Sequence, residues 1–274
     1  MESIAPHVRS WLDSLQWIAI VYAGGMLLER LAPAERGQPL RRIGFNLLAG
    51  VVLFTISGVL VGLLYPLVAP AIDGPWGHLI RVELPDGIAG SVAQVLVFFL
   101  VYDFFYYWWH RAQHEFGWLW PQHELHHSDT AVNVTTSLRH HWLEDPLRVF
   151  TMMLPLGMLF YFKPASVAWV GTALGLWPFF IHLNVRLELG WLTRIVAGPQ
   201  YHRIHHSLRP EHFNRNYAAF FPVWDIVFGT AWIPARGEFP PTGVARGEPR
   251  GLADALVGPF RDWRAMLSRR KVPG

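Results

Sequence analysis

The chain has 274 residues, of which 52% are hydrophobic and only 16% are charged, whereas about a quarter of the residues of an ordinary soluble domain are charged. It contains no cysteine, which excludes disulfides, thiolate metal sites, iron–sulfur clusters and a cysteine nucleophile. The net charge is only +3, and without a basic stripe or an RNA-binding motif it predicts no nucleic-acid partner.

Five nearly charge-free runs predict helices embedded in a membrane, and no signal peptide is expected before them. They cover residues 14–28, 43–72, 87–109, 149–162 and 164–185. Because about 20 residues are needed to cross the hydrocarbon core, the second, third and fifth runs are long enough to span it. The first and fourth are shorter, so the sequence leaves open whether they cross fully. Buried helices of a large soluble core are the alternative, but so many runs in so short a chain disfavour it.

The distribution of basic residues predicts the orientation, since loops rich in Arg and Lys remain in the cytoplasm. The chain has four arginines within 30–42, whereas the loop at 73–86 has one arginine beside three acidic residues. The first loop and everything after residue 186 are therefore predicted to be cytoplasmic. Apolar residues recur at helical spacing over 252–267 with arginines alongside. This pattern indicates either a helix in the membrane interface or a helix packed on the catalytic head.

Eleven of the fourteen histidines lie between His110 and His206, most of them in three clusters. The clusters are HRAQH at 110–114, HELHH at 123–127 and HRIHH at 202–206, and His182 ends the last apolar run. Each buried imidazole needs a partner, and a metal ion satisfies several at once. Eight or nine histidines exceed the roughly four ligands of one closed zinc site, so the count predicts two ions. Imidazole suits iron, copper, zinc or nickel, whereas Mg²⁺ and Ca²⁺ prefer oxygen ligands.

One acidic residue, Asp103, lies inside the third run, two helical turns before His110. A carboxylate is costly in lipid and is therefore a candidate for a functional role. It is expected to orient His110 or His114 by accepting a hydrogen bond. A structural hydrogen bond to a neighbouring helix is the alternative.

The segments 103–114, 123–129 and 202–207, followed by Asn216-Tyr217 and 224–230, resemble the histidine-box pattern of the fatty acid hydroxylase/sterol desaturase superfamily. The resemblance covers about 96–232. It implies a multipass di-metal oxygenase that uses O₂ and two external electrons to hydroxylate or desaturate lipids. It also implies nine metal ligands: His110, His114, His123, His126, His127, His182, His202, His205 and His206. The family often has a further histidine after the position of His182, where this chain has Asn184 and Arg186, so one ion has one ligand fewer or is completed by water.

Three further residues are candidates to support the metal ligands. His141 lies in 136–144, a segment that matches the family, and is expected either to support a ligand or to line the substrate entrance. A surface or capping histidine is the alternative for it. Asp129 and Asp225 are the other two, with a helix cap and a turn residue as their alternatives.

The sequence therefore predicts an all-α multipass bundle of four or five membrane-embedded helices, with a cytoplasmic helical cap carrying the histidines. Residues 1–95 are expected to be membrane spans without a diagnostic motif, 96–232 the catalytic domain, and 233–274 a cytoplasmic tail with an amphipathic helix. The resemblance implies two iron ions, replaceable by zinc during purification, with O₂ as co-substrate. It also implies an external electron donor, such as a cytochrome b5-like or ferredoxin-like protein.

The expected reaction is O₂-dependent hydroxylation or monooxygenation of a C–H bond in a fatty-acyl, alkyl-ether or sterol-like lipid. The lipid chain is expected to lie against the aromatic cluster at 104–109, in a bacterial inner membrane or the endoplasmic reticulum. Desaturation at the same site is one alternative. A metal transporter or a structural zinc membrane protein is another, although a transporter needs polar residues inside several spans. The string at 123–127 also satisfies HExxH, but a three-ligand zinc hydrolase does not need so many histidines.

Overall fold

The computed structural model describes residues 4–75, 77–162 and 170–269. Within these ranges the chain forms α1 (Ile4–Leu31), α2 (Leu40–Asp73), β1 (Ile80–Val82), α3 (Ile88–Glu115), α4 (Trp120–His127), α5 (Glu144–Arg148), α6 (Leu154–Leu159), β2 (Phe160–Phe162), α7 (Val170–Ile181), α8 (Pro199–His205), α9 (Val223–Val227) and α10 (Leu252–Arg269). Short 3₁₀ helices occupy Val134–Leu138, Gly190–Arg194 and Pro210–His212. The fold is mostly helical, as predicted.

Among the described residues, α2 and α3 are the helices long and apolar enough to cross a membrane. Large apolar side chains on both helices remain exposed in the isolated chain, including Leu63 and Leu67 of α2 and Ile88 of α3. Lipid tails can cover such surfaces, whereas water cannot do so without cost. The first predicted run lies within α1, and the fifth is described from Val170, since its earlier residues fall outside the described ranges.

A small parallel sheet, which the sequence analysis did not predict, is added to the helical fold. Strand β1, between α2 and α3, pairs with β2, so that Ile80 lies opposite Phe160 and Val82 opposite Phe162. β-Branched and aromatic residues suit this extended pairing. The pair ties the end of α6 to the loop that follows α2.

The fourth predicted run is not one regular α-helix. α5 continues into a π-helical turn at Val149–Met153, closed by a hydrogen bond from the N–H of Leu154 to the carbonyl of Val149, and then into α6. Pro155 follows at once and has no N–H to donate, which favours an irregular turn at this point. The segment starts beside the histidines and ends at the strand pair. It therefore connects the two ends of the bundle.

The C-terminal residues belong to the same packed head as α4 and α8. Arg203 of α8 donates through Nε to the carbonyl of Pro240 at 2.9 Å. Helix α10 packs on α4 and α2, burying Ala255, and the indole N–H of Trp263 donates to the carbonyl of Trp118 at 2.8 Å. Of the two interpretations of 252–267, the geometry favours a helix packed on the head.

Candidate metal centre

All nine histidines implied by the histidine boxes converge at one end of the bundle. α3 contributes His110 and His114, whose separation of four residues places both on one face. Helix α4 carries three more, and a further histidine directly follows α7. Helix α8 carries two, and the residue directly after α8 is the ninth. In order along the chain after α3 they are His123, His126, His127, His182, His202, His205 and His206.

The nine side chains form two adjacent groups. The five-histidine group contains His110, His114, His123, His127 and His205. The four-histidine group contains His126, His182, His202 and His206. Within each group, one ring nitrogen from every residue lies within 4.8 Å of the others. The rings of His127 and His206 stack with centroids 4.4 Å apart, so the two groups are in direct contact.

Backbone carbonyls fix the protonation of three of these rings. The Nδ1 atoms of His110, His205 and His182 lie 2.7, 2.8 and 2.6 Å from the carbonyl oxygens of Tyr217, Arg215 and Pro178 respectively. A carbonyl accepts only, so each Nδ1 must carry the proton and donate. In a neutral ring this leaves a lone pair on Nε2, the atom that points into the group.

The Nε2 atoms face one another at short range. Nε2 of His110 lies 3.1 Å from that of His123, and Nε2 of His182 lies 3.0 Å from that of His202. Two ligands at right angles, each about 2.1 Å from a metal ion, would be about 3.0 Å apart. Nδ1 of His123 faces the carboxylate of Glu144, so a neutral His123 ring carries its proton there and has a lone pair on Nε2. The Nε2 lone pairs of His110 and His123 would repel each other at this distance unless a cation lies between them. The residues therefore fit bound metal ions.

The protein environment favours the neutral form of several of the nine imidazoles. Burial, and next the neighbouring imidazoles, lower the pKa of His127, His202 and His206 well below the usual value. Burial lowers the pKa of His205 to about 3, against the opposing effect of its bond to the carbonyl of Arg215. A metal ion binds the neutral ring, so few protons compete with it near neutral pH.

Two residues beside the centre were missing from the sequence prediction. The buried carboxylate of Glu144 lies 3.4 Å from Nδ1 of His123 and 3.1 Å from Nδ1 of His140. Burial alone would raise the pKa of Glu144, but the two imidazoles hold it well below its usual range. The ring of His140 stacks on that of His126 with centroids 4.3 Å apart. The four-residue spacing of His140 and Glu144 could have indicated that both support the centre, whereas the sequence prediction selected the neighbouring His141 for that role.

His141 contacts the C-terminal helix rather than a metal ligand. It is buried, its Nε2 donates to the carbonyl of Leu256 at 3.1 Å, and its Nδ1 accepts from the N–H of Leu143 at 3.2 Å. In the described part of the chain no ligand histidine hydrogen-bonds to it. It does line the cavity that reaches the centre, in keeping with the second role expected of it.

Asp103 has different partners from those predicted. Its carboxylate accepts hydrogen bonds from the backbone N–H groups of Ala219, Phe220 and Phe221 at 2.9, 3.2 and 2.7 Å. Seven residues of helix separate it from His110 by about 10 Å along the axis, which is too far for direct contact. Neither the predicted bond to a ligand nor the alternative bond to a neighbouring helix is present among the described residues. Asp103 instead fixes an irregular loop.

Asp225 holds the beginning of the same loop. It accepts hydrogen bonds of 2.7–2.9 Å from Tyr201, Tyr217, Ala218 and Thr230. The carbonyls of Arg215 and Tyr217 are the acceptors for His205 and His110. Asp225 is therefore more than a turn residue, although it contacts none of the nine histidine rings directly: it and Asp103 position the loop that orients two of them.

Asp129 links α4 to α2 rather than to a ligand ring. It accepts from the Asn46 amide and the Thr136 hydroxyl, both at 2.7 Å. The fully buried Arg139 donates to the carbonyl of Leu125 and to the side chains of Asn46 and Ser128. This network anchors the helix that carries three of the nine histidines.

Asn184 stands near the position of the family's additional histidine. Its amide group bonds to the backbone of Glu35 in both directions, at 2.9 and 2.7 Å. The nearby His182 belongs to the group of four, the smaller of the two.

A cavity of about 960 Å³ leads to the four-histidine group. His126 and His182 lie in its wall, together with His140, and most of the remaining lining is apolar. Of the aromatic cluster at 104–109, only Tyr106 lines it, with Tyr102 one turn earlier. Phe104 instead packs against Trp224, so this part of the prediction is corrected. The volume is at the upper end of the range for pockets that bind organic ligands, about 300–1,000 Å³.

Comparison with known proteins identifies relatives whose names describe enzymes that act on lipids. Alkylglycerol monooxygenase from Homo sapiens is 38% identical over 133 residues, which are 48% of this chain and 29% of the relative. The same enzyme from Xenopus tropicalis is 37% identical over 59% of this chain and 34% of the relative. The chain thus spans about a third of the length of these relatives. Ornithine lipid hydroxylase OlsE from Rhizobium tropici is 29% identical over 90% of this chain and 76% of the relative.

No solved structure matches the chain. The family model described as fatty acid hydroxylase matches residues 95–230. That interval contains all nine converging histidines and both carboxylates that position the 215–221 loop. Residues 95–230 of the chain are therefore a fatty acid hydroxylase domain.

Proposed function

We propose that this protein is an O₂-dependent lipid hydroxylase whose nine converging histidines hold two iron ions. The single observation that carries the proposal is the presence of two histidine groups, one of five residues and one of four, at the end of a largely apolar cavity. Nine ligands are too many for one ion, since even an octahedral site takes about six. Relatives named monooxygenase and hydroxylase favour a redox-active metal, and zinc has no redox chemistry.

Bound iron ions would supply the binding and reductive activation of O₂. One oxygen atom would enter a C–H bond of the lipid, and the other would leave as water with two electrons and two protons from an external donor. The chain itself would hold the lipid in the cavity, with the carbon to be oxidised near His126 and His182. Apolar walls would exclude water from this region. The loop anchored by Asp103 and Asp225 would keep His110 and His205 aimed at the metal.

Hydroxylation is favoured over desaturation because the relatives are a monooxygenase and a lipid hydroxylase. The test uses iron-loaded protein in lipid vesicles, a chemical reductant with a mediator, and ¹⁸O₂. We expect lipid products that carry one ¹⁸O atom each. A product with a new double bond and no ¹⁸O would identify a desaturase instead, and unchanged lipid under all reductants would reject both reactions.

We further propose a multipass topology of four or five embedded helices, with residues 96–232 as the catalytic domain and the histidine head in the cytoplasm. The arginines at 30–42 support this orientation. The loop containing β1 would then face the other side of the membrane. Because the chain has no cysteine, His78→Cys provides a unique label site in that loop. We expect impermeant maleimides to label it only from the non-cytoplasmic side, and labelling from the cytoplasmic side would reverse the topology.

A further inference from the structure

The wall of the substrate cavity contains an ion pair that the proposed chemistry does not use. Arg148 donates through Nη2 to Asp145, and the hydroxyl of Ser57 donates to the same carboxylate at 2.9 Å. All three side chains line the cavity. Their neighbours there include Leu53, Phe54 and several residues of α7. A charged pair on a largely apolar wall is costly and is a candidate for ligand recognition.

Arg148 retains hydrogen-bonding capacity after these contacts. A guanidinium group has five N–H donors, and across the described part of the chain the bond to Asp145 is the only one that Arg148 makes. Its Nε–H is buried without a partner. The side chain is 27% exposed, and Arg148 lies in the cavity wall. The spare donors on Nη1 and Nη2 are therefore available to an acceptor inside the cavity.

The ion pair lies close to the metal centre. Asp145 directly follows Glu144, which contacts both His123 and His140. Arg148 is also within electrostatic range of Tyr106, whose ring lies 5.3 Å from that of His110. Arg148 and His126 line the same cavity, so one bound lipid can contact both.

We propose that Arg148, held in place by Asp145 and Ser57, binds an oxygen atom of the lipid substrate near the carbon that is oxidised. The inference rests on the proposed function and deepens it. The substrate is then a lipid with a neutral oxygen group, such as a hydroxyl or a carbonyl, rather than a plain hydrocarbon. The bound group is neutral because Asp145 already balances the charge of Arg148, so a second full charge would be unpaired in the cavity.

The test compares two probes of equal chain length, 1-O-hexadecylglycerol and hexadecane, in their binding to metal-loaded protein in lipid nanodiscs, without a reductant. For Arg148→Met we expect the Kd for the glycerol lipid to rise about 10-fold or more, as for loss of a hydrogen bond to a charged group. The Kd for hexadecane should stay unchanged. Because the assay needs no turnover, its outcome is independent of whether the protein hydroxylates lipids.

Two further variants keep the test decisive. Arg148→Lys retains a charge for Asp145 but loses the planar fork, so it should fold and show a smaller rise in Kd for the glycerol lipid alone. Leu53→Ala alters the apolar wall and should weaken binding of both probes alike. Equal loss of both probes in the Arg148 variants, or unchanged binding of the glycerol lipid, would overturn the proposal.

Discussion

Replacing His126 or His205 by Ala is expected to abolish lipid hydroxylation and to remove at least one metal ion per chain. The two residues belong to different histidine groups, and each substitution deletes a ligand from a closely packed set. Loss of a ligand should exceed the roughly 10–100-fold loss typical of residues that merely support ligands. Metal analysis and ¹⁸O incorporation measure the two effects on the same preparation.

His78→Ala is the matched control for these variants. His78 lies in the loop before β1, beside Asp73 and Tyr161, and belongs to neither group. It should keep the full metal content and activity. If His126→Ala or His205→Ala retained both properties as well, the assigned ligand groups would be wrong.

Asp103→Asn should disrupt the centre through the 215–221 loop, although Asn has nearly the same shape. The carboxylate accepts from three backbone N–H groups, whereas the Asn NH₂ group would face at least one of these donors and leave it unpaired. An unsatisfied buried donor costs roughly 1–3 kcal/mol, which corresponds to about 5–150-fold in the population of the correctly placed loop. The expected result is weaker metal binding and lower turnover, with the protein still inserted in the membrane.

Asp73→Asn, at a largely exposed position, is the control for the change of charge. Metal titration, turnover and thermal unfolding should separate the two variants. Asp103→Asn with normal metal content and turnover would mean that the loop does not depend on these three bonds. Another contact would then have to orient His110.

The convergence of the nine histidines could be predicted from sequence because their spacing is local. Residues four apart share a helix face, and the histidine boxes identified all nine members of the two groups. Their division was not predictable, because His126 faces one group while its neighbours His123 and His127 face the other. That division depends on how α4 is rotated relative to α3 and α8, which is decided by packing.

The roles of the acidic residues could not be read from sequence for a related reason. Asp103 bonds to residues 116–118 positions away in an irregular loop, and no periodic pattern predicts such a contact. Glu144 reaches His123 from 21 residues away. The strand pair was missed because its two segments have three residues each, one in the loop at 73–86 and one at the end of an apolar run, and are too short to show a periodic pattern.

The iron content of active protein tests the two-ion centre most directly. Wild-type chain purified without oxygen from iron-supplemented cells should contain two iron ions per chain, measured by plasma mass spectrometry against quantitative amino-acid analysis. Titration of metal-free protein with Fe²⁺ should restore ¹⁸O incorporation and reach its maximum at two equivalents. Full activity at one ion per chain would contradict the two-ion centre formed by the five-histidine and four-histidine groups.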